Sequence, residues 1–263
     1  MKSERITSYD AFRGVLLVAM VVFHLVVNLT GLKFDQNYFY WVPAGFTLFL
    51  GVILGRFLVG KTRKTAILGA KLLGIFLVLN VPNFIGKDYT LMQLTLGDQK
   101  VFSFEILLPM SIATFVSIFL WKLVPPRWAG GVRAHRAEII FGAMLILLLT
   151  YLHAIGFYSY NLSFLIYGII GCLIGKSLDL DAISGKMSAW AFLVVILVAA
   201  TAFFVVGKVG IIESAILLQV LVLYLLTAKI FGKNRILTVL GRQSLILYVL
   251  HIVAIKGVLI LLV

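Results

Sequence analysis

Apolar residues run in blocks of membrane-crossing length along the whole chain, separated by short polar connections. A helix needs about 20 such residues to cross the hydrocarbon core of a bilayer. The blocks predict spans at 13–32, 40–59, 66–85, 102–123, 139–157, 159–175, 189–206, 211–231 and 244–263. Strands of a membrane barrel would instead alternate apolar and polar residues over short segments, and no stretch does so. In lipid a segment must satisfy its own backbone, which leaves helices. The expected fold is all-α: a polytopic transmembrane helical bundle of about nine spans, read as one integral-membrane domain over residues 1–263. The fifth and sixth spans form a tight hairpin around Gly156 to Ser159. The longest connections, near 86–101, 124–138 and 176–188, are too short for an inserted soluble domain. No internal repeat stands out.

Composition strengthens this picture. Of 263 residues, 62% are hydrophobic and 13% charged, too few charges to cover the apolar surface of a soluble domain. The net charge of +13 raises nucleic acid as a partner, but the basic residues sit in clusters flanking apolar runs, so no nucleic-acid partner is expected. Of the 23 Lys and Arg residues, all but Lys33, Lys87, Lys100, Lys208 and Lys256 fall on one alternate set of flanks. That asymmetry predicts a cytoplasmic N-terminus, an inner or plasma membrane location and, with nine spans, an external C-terminus. The first run shows no convincing cleavage site and reads as a retained anchor. Cys172 lies inside an apolar run and reads as a packing residue. No ligand-spaced Cys/His cluster suggests a metal.

Ionisable groups inside spans are costly and mark candidate sites. On the first helix, Asp10, Arg13, His24 and Asn28 fall within a stripe roughly 60° wide. His24 lies about 16 Å along the axis from Arg13, near mid-membrane if Arg13 is at the rim. A rim guanidinium suits a phosphate-bearing ligand. Asp10, three residues earlier, is placed to orient it. His24 is suited to proton transfer. The competing reading is a snorkelling rim arginine plus a histidine satisfied by a neighbouring carbonyl. On the last helix Ser244, Tyr248 and His251 share a face, with Arg242 at its start. Such residues also commonly bridge helices. Asn80, Asn83, Glu105, His153, Glu213 and Gln219 are candidates for lining an outer cavity, or for ordinary helix-to-helix bonds. His135 reads as a solvated loop residue. Gly45, Gly51, Gly55 and Gly60 read as close-packing glycines.

The two polar constellations together resemble the membrane acyltransferase-3 superfamily, and more closely its branch with the heparan-alpha-glucosaminide N-acetyltransferase catalytic domain. The resemblance rests on Arg-Ile-Thr-Ser-Tyr-Asp-Ala-Phe-Arg-Gly at 5–14, on the Arg13-x10-His24 spacing, and on Phe-Thr-Leu-Phe-Leu-Gly at 46–51. It is completed by Leu240-Gly241-Arg242-Gln243-Ser244-Leu245 with Tyr248 and His251. It implies transfer of an acyl group, acetyl above all, from cytoplasmic acyl-CoA to an extracytoplasmic acceptor, often a carbohydrate. With the residue pattern, it makes His24, Asn28 and His251 the catalytic candidates. Asp10, Arg13, Arg242, Ser244 and Tyr248 are the candidates for binding the acyl-CoA co-substrate. His24 would act as general base or as acyl carrier, and both routes stay open. The lysosomal member of the branch carries a histidine in its first luminal loop; the stretch between Lys33 and Tyr40 has none, so its acceptor does not carry over. The chain is also shorter than is usual for the superfamily, where ten or more spans are common.

The expected partners are the lipid bilayer, acyl-CoA and a carbohydrate acceptor, with a homodimer left open. Two other functions compete. One is a transporter or flippase for a small solute or lipid-linked sugar, against which stands the lack of a repeat with matched broken helices. The other is a non-catalytic membrane subunit.

Overall fold

The computed structural model describes residues 7–30, 40–84, 106–123, 140, 144, 148, 160–177 and 212–262. Among these, every regular element is a helix and none is a strand. The helices are α1 (Thr7–Thr30), α2 (Trp41–Phe57), α3 (Thr62–Phe84), α4 (Leu107–Leu123), α5 (Tyr160–Ser177), α6 (Ile212–Phe231), α7 (Arg235–Arg242) and α8 (Ser244–Leu262). The Thr7–Val27 part of α1 and the Thr62–Val81 part of α3 are long and apolar enough to cross a membrane. A third candidate is α7 with the Ser244–Ile255 part of α8, a pair bent by 79°. The predicted spans 139–157 and 189–206, with Glu105, His135 and His153, lie outside the described residues apart from helical positions 140, 144 and 148.

The chain divides into two compact units, Met1–Phe46 with Asp179–Val263, and Thr47–Leu178. In the second unit α4 packs between α3 and α5. Ser111 of α4 donates to the Gly69 carbonyl of α3 at 2.9 Å. Asn80, a candidate for lining an outer cavity or for a helix-to-helix bond, is buried and donates from Nδ2 to the Phe76 carbonyl of its own helix at 2.9 Å. Leu162, Ile166 and Ile169 of α5 form the buried centre of an apolar cluster that takes in Val116 of α4.

Glycines set how closely α2 and α5 approach. A Cβ on Gly51 or Gly55 would strike the Gly168 or Cys172 carbonyl, and one on Gly171 or Gly175 would strike the Leu48 or Val52 carbonyl. Both helices therefore present small residues four apart, and their backbones meet directly. The expectation for Gly51 and Gly55 is met. Gly45 is close-packed as well, against the Leu16 side chain of α1. Gly60 packs against nothing: its φ of 75° places it in the left-handed turn between α2 and α3, which a side chain would strain.

In the first unit α1 packs against α6, α7 and α8. It begins at Thr7, earlier than its apolar run suggests, because its first turns are buried as well: Ser8, Tyr9 and Asp10 are each no more than 5% exposed. Tyr224 of α6 holds this end. Its ring meets those of Tyr9 and Phe12 edge-on at 5.5 and 5.7 Å, and its hydroxyl lies 3.3 Å from that of Ser8.

The eight residues of α7 fall in what reads from sequence as a connection, being too short and too polar at both ends to register as a span. Asn234 caps this helix, its side-chain oxygen accepting from Leu237 N at 3.0 Å. Gln243 ends it and gives way to α8 at the bend.

Candidate functional site

The site grows from the crossing of α1 and α7. Gly14 lies under the Leu237 backbone, where an added Cβ would strike the carbonyl oxygen, and Gly241 lies equally tight against the Asp10 carbonyl. Each glycine removes the side chain that would separate the two backbones. Because Gly14 follows Arg13 and Gly241 precedes Arg242, the close approach also drives the neighbouring charged side chains together.

Arg13 donates from Nη2 to Ser244 Oγ at 2.6 Å across 231 residues of sequence. Arg242 donates from Nε to Asp10 Oδ2 at 3.4 Å. Asp10 also lies 3.9 Å from Arg13 Nη1, the loose pair expected for neighbours three residues apart on a helix. The Asp10 side chain is only 7% exposed, whereas those of Arg13 and Arg242 are 25% and 46% exposed. Two guanidinium groups thus share one buried carboxylate, leaving one net positive charge at the mouth of the cluster. Arg13 is held at both ends of its fork. Arg242 presents the freer guanidinium to an incoming anion.

Deeper along the same helices the imidazoles meet. The rings of His24 on α1 and His251 on α8 are 5.5 Å apart, inclined at 41°. His251 Nδ1 lies 3.1 Å from the Leu247 carbonyl, while its Nε2 is buried and has no hydrogen-bond partner among the described residues. Tyr248 is buried beside them, its ring 5.7 Å from that of His251 and 6.5 Å from that of Phe46.

The candidate residues therefore assemble as two groups along the seam where α1 meets α7 and α8. Asp10, Arg13, Arg242 and Ser244 form the charged group at the N-terminal end of α1. His24, His251 and Tyr248 form the aromatic group farther in, so Tyr248 lies with the histidines rather than with the charges. Asn28 is helical on α1, but its side chain is outside the described residues, as is that of Glu213; Gln219 is partly buried on α6. Sequence reasoning missed Gly14 and Gly241 as the parts that join the two ends, although each stood beside a nominated arginine. It also missed Ser8 and Tyr224, which anchor the start of α1 and leave no periodic signal.

A rim cation paired with a buried carboxylate can hold an anionic ligand. A histidine pair in apolar surroundings can move protons. Compared with protein-family models, with curated proteins and with solved structures, the chain finds no match in any of the three.

Proposed function

We propose that the chain is an acyl-CoA-dependent transmembrane acyltransferase. It would move an acyl group, acetyl in the first instance, from cytoplasmic acyl-CoA to an extracytoplasmic carbohydrate acceptor. The observation that carries this reading is the seam itself. Residues 10–24 and 242–251 lie more than 200 positions apart in sequence, yet they contribute to one cation cluster and one histidine pair.

The seam suits a long, anionic co-substrate. Its phosphates would rest against Arg242 and Arg13, with Ser244 and Asp10 holding the Arg13 fork in place. About 16 Å separates Arg13 from His24 along the helix, a reach of the order of an extended pantetheine arm. That would bring the thioester to the imidazoles, where His24 takes the acceptor proton or carries the acyl group. Asn28, one turn beyond His24, would meet the acceptor side. This reading includes an acyltransferase-3-like bundle of about nine spans forming a single domain, its N-terminus in the cytoplasm, in the inner or plasma membrane. A homodimer is compatible with it.

The purified chain in bilayer discs with labelled acetyl-CoA and a mixture of carbohydrate acceptors tests the proposal. Transfer of label is expected from the native chain. His24→Ala is expected to lower it by at least ~100-fold, the usual worth of a positioned acid–base, while thermal unfolding stays unchanged. A well-folded His24→Ala chain that still transfers acetyl ends the proposal.

One observation favours transport as a second reading. The 79° break between α7 and α8 puts two helix ends beside buried polar groups, as in transporters with discontinuous helices. Solute movement into vesicles without consumption of acetyl-CoA distinguishes it.

A further inference from the structure

The least expected atom in the seam is His251 Nε2. Among the described residues it is buried without a partner, which costs a ring nitrogen about 1–3 kcal/mol and is uncommon enough to call for a reason. The other nitrogen shows which form the ring takes. Nδ1 lies 3.1 Å from the Leu247 carbonyl oxygen. A carbonyl can only accept, so Nδ1 carries the hydrogen and the neutral ring leaves Nε2 with its lone pair. The His24 ring stands 5.5 Å away, centroid to centroid, close enough for one N–H···N hydrogen bond after a small rotation. Tyr248, one turn earlier on α8, packs on the same ring and limits its swing.

We infer that His24 and His251 are a proton-sharing pair, in which the Leu247 carbonyl fixes His251 as the Nδ1–H tautomer and Nε2 accepts a proton from His24. His251 is a positioning residue that acts through His24, much as a carboxylate orients and supports an imidazole elsewhere.

The inference rests on the acyltransferase reading for its use but not for its existence. In direct transfer, one nitrogen of His24 takes the proton of the acceptor hydroxyl or amine as the new bond to the thioester carbonyl forms. The hydrogen on its other nitrogen moves to His251 Nε2. When the carbon–sulfur bond breaks, His251 returns that proton, and His24 passes the first one to the departing thiolate. Both rings end neutral, and the net change is acceptor–H plus acyl-CoA to acyl-acceptor plus CoA–SH.

Nitrogen-15 NMR of the full chain, histidine-labelled and held in lipid bilayers, reads the tautomer without any substrate. The His251 signals are identified by their loss in His251→Gln. The expected spectrum has a protonated Nδ1, an unprotonated Nε2, and a nitrogen–nitrogen coupling to His24 that disappears in His24→Gln. A protonated Nε2 in the neutral ring, or a His251 spectrum indifferent to His24→Gln, overturns the pair. In activity assays, His251→Gln should lower kcat ~100-fold with KM unchanged, since glutamine keeps a polar side chain but cannot take the proton; unaltered kcat also overturns it. A chain that shows the expected spectrum and transfers no acyl group refutes the acyltransferase reading and leaves the pair standing. A chain that transfers acyl groups with the opposite tautomer does the reverse.

Discussion

The α2–α5 crossing and the α1–α7 crossing use the same device for different ends. In both, glycines let two helix backbones meet where a methyl group would collide with a carbonyl. At the α2–α5 crossing the residues that face the glycines are apolar, Leu48, Val52 and Cys172 each being no more than 1% exposed, while Arg56 and Lys176, which follow Gly55 and Gly175, flank one end of it, Lys176 Nζ lying 4.7 Å from the Trp121 ring centre. Around Gly14 and Gly241 the neighbours are Arg13, Arg242 and Asp10, and the result is a shared charge cluster. Close approach is thus neutral as a signal. Cations stand one residue from a glycine at both crossings, and what the α1–α7 crossing adds is the buried carboxylate of Asp10 that draws them together.

The largest expected effect separates the two crossings. Gly241→Val forces α7 away from the Asp10 backbone, with an overpacking cost of about 1–3 kcal/mol. It should lower the unfolding temperature and abolish acetyl-CoA binding together. Gly171→Val is expected to cost similar stability, while the folded fraction keeps its acetyl-CoA affinity. Equal loss of affinity in both variants would erase the distinction.

Next comes the carboxylate. Asp10→Asn leaves two guanidinium groups facing each other without their buried counter-charge, at a cost of about 2 kcal/mol. Reduced thermal stability is expected, partly restored in Asp10→Asn with Arg242→Gln. A double variant no more stable than the single one would show that Arg242 gains nothing from Asp10.

A smaller effect tests the division between the arginines. Arg242→Ala should weaken acetyl-CoA binding about tenfold, the worth of one exposed charge-assisted contact. Arg13→Ala should weaken it too, whereas Ser244→Ala should matter less, because Asp10 still restrains the Arg13 fork. Isothermal titration gives the order, and unchanged affinity in Arg13→Ala removes that residue from the binding role. The smallest effect belongs to Cys172. It lies sealed in the apolar crossing, so it should resist maleimide in the folded chain, and Cys172→Ala should shift stability by no more than about 1 kcal/mol.

The sequence made the helical class legible because lipid leaves so few alternatives to a long apolar run. It also nominated Arg13, His24, Ser244 and His251, since a charge or imidazole in such a run stands out against its surroundings. The elbow at α7 was not legible. Its eight residues, Arg235–Arg242, are too few and too polar at both ends to register as a span, and the Asn234 cap and the contact with α1 show why they form a helix. The meeting of the chain's two ends was not legible either. Periodicity orders residues around one helix axis, but it carries no information on which helix lies opposite. The glycines mark where backbones can meet, as Gly51 and Gly55 did from sequence, but a glycine does not name the helix that it meets.

The loose 3.9 Å pair between Asp10 and Arg13 bears on how such a chain is made. During synthesis α1 emerges long before Ser244 or Arg242 exists. An acid and a base one turn apart can shield each other through that wait, so the first helix can enter the bilayer carrying no net burden from these two side chains. The arrival of α7 and α8 then adds to this pair the 2.6 Å bond to Ser244 and the second guanidinium. Assembly of the site is in that sense completed only once α7 and α8 have followed α1 out of the ribosome.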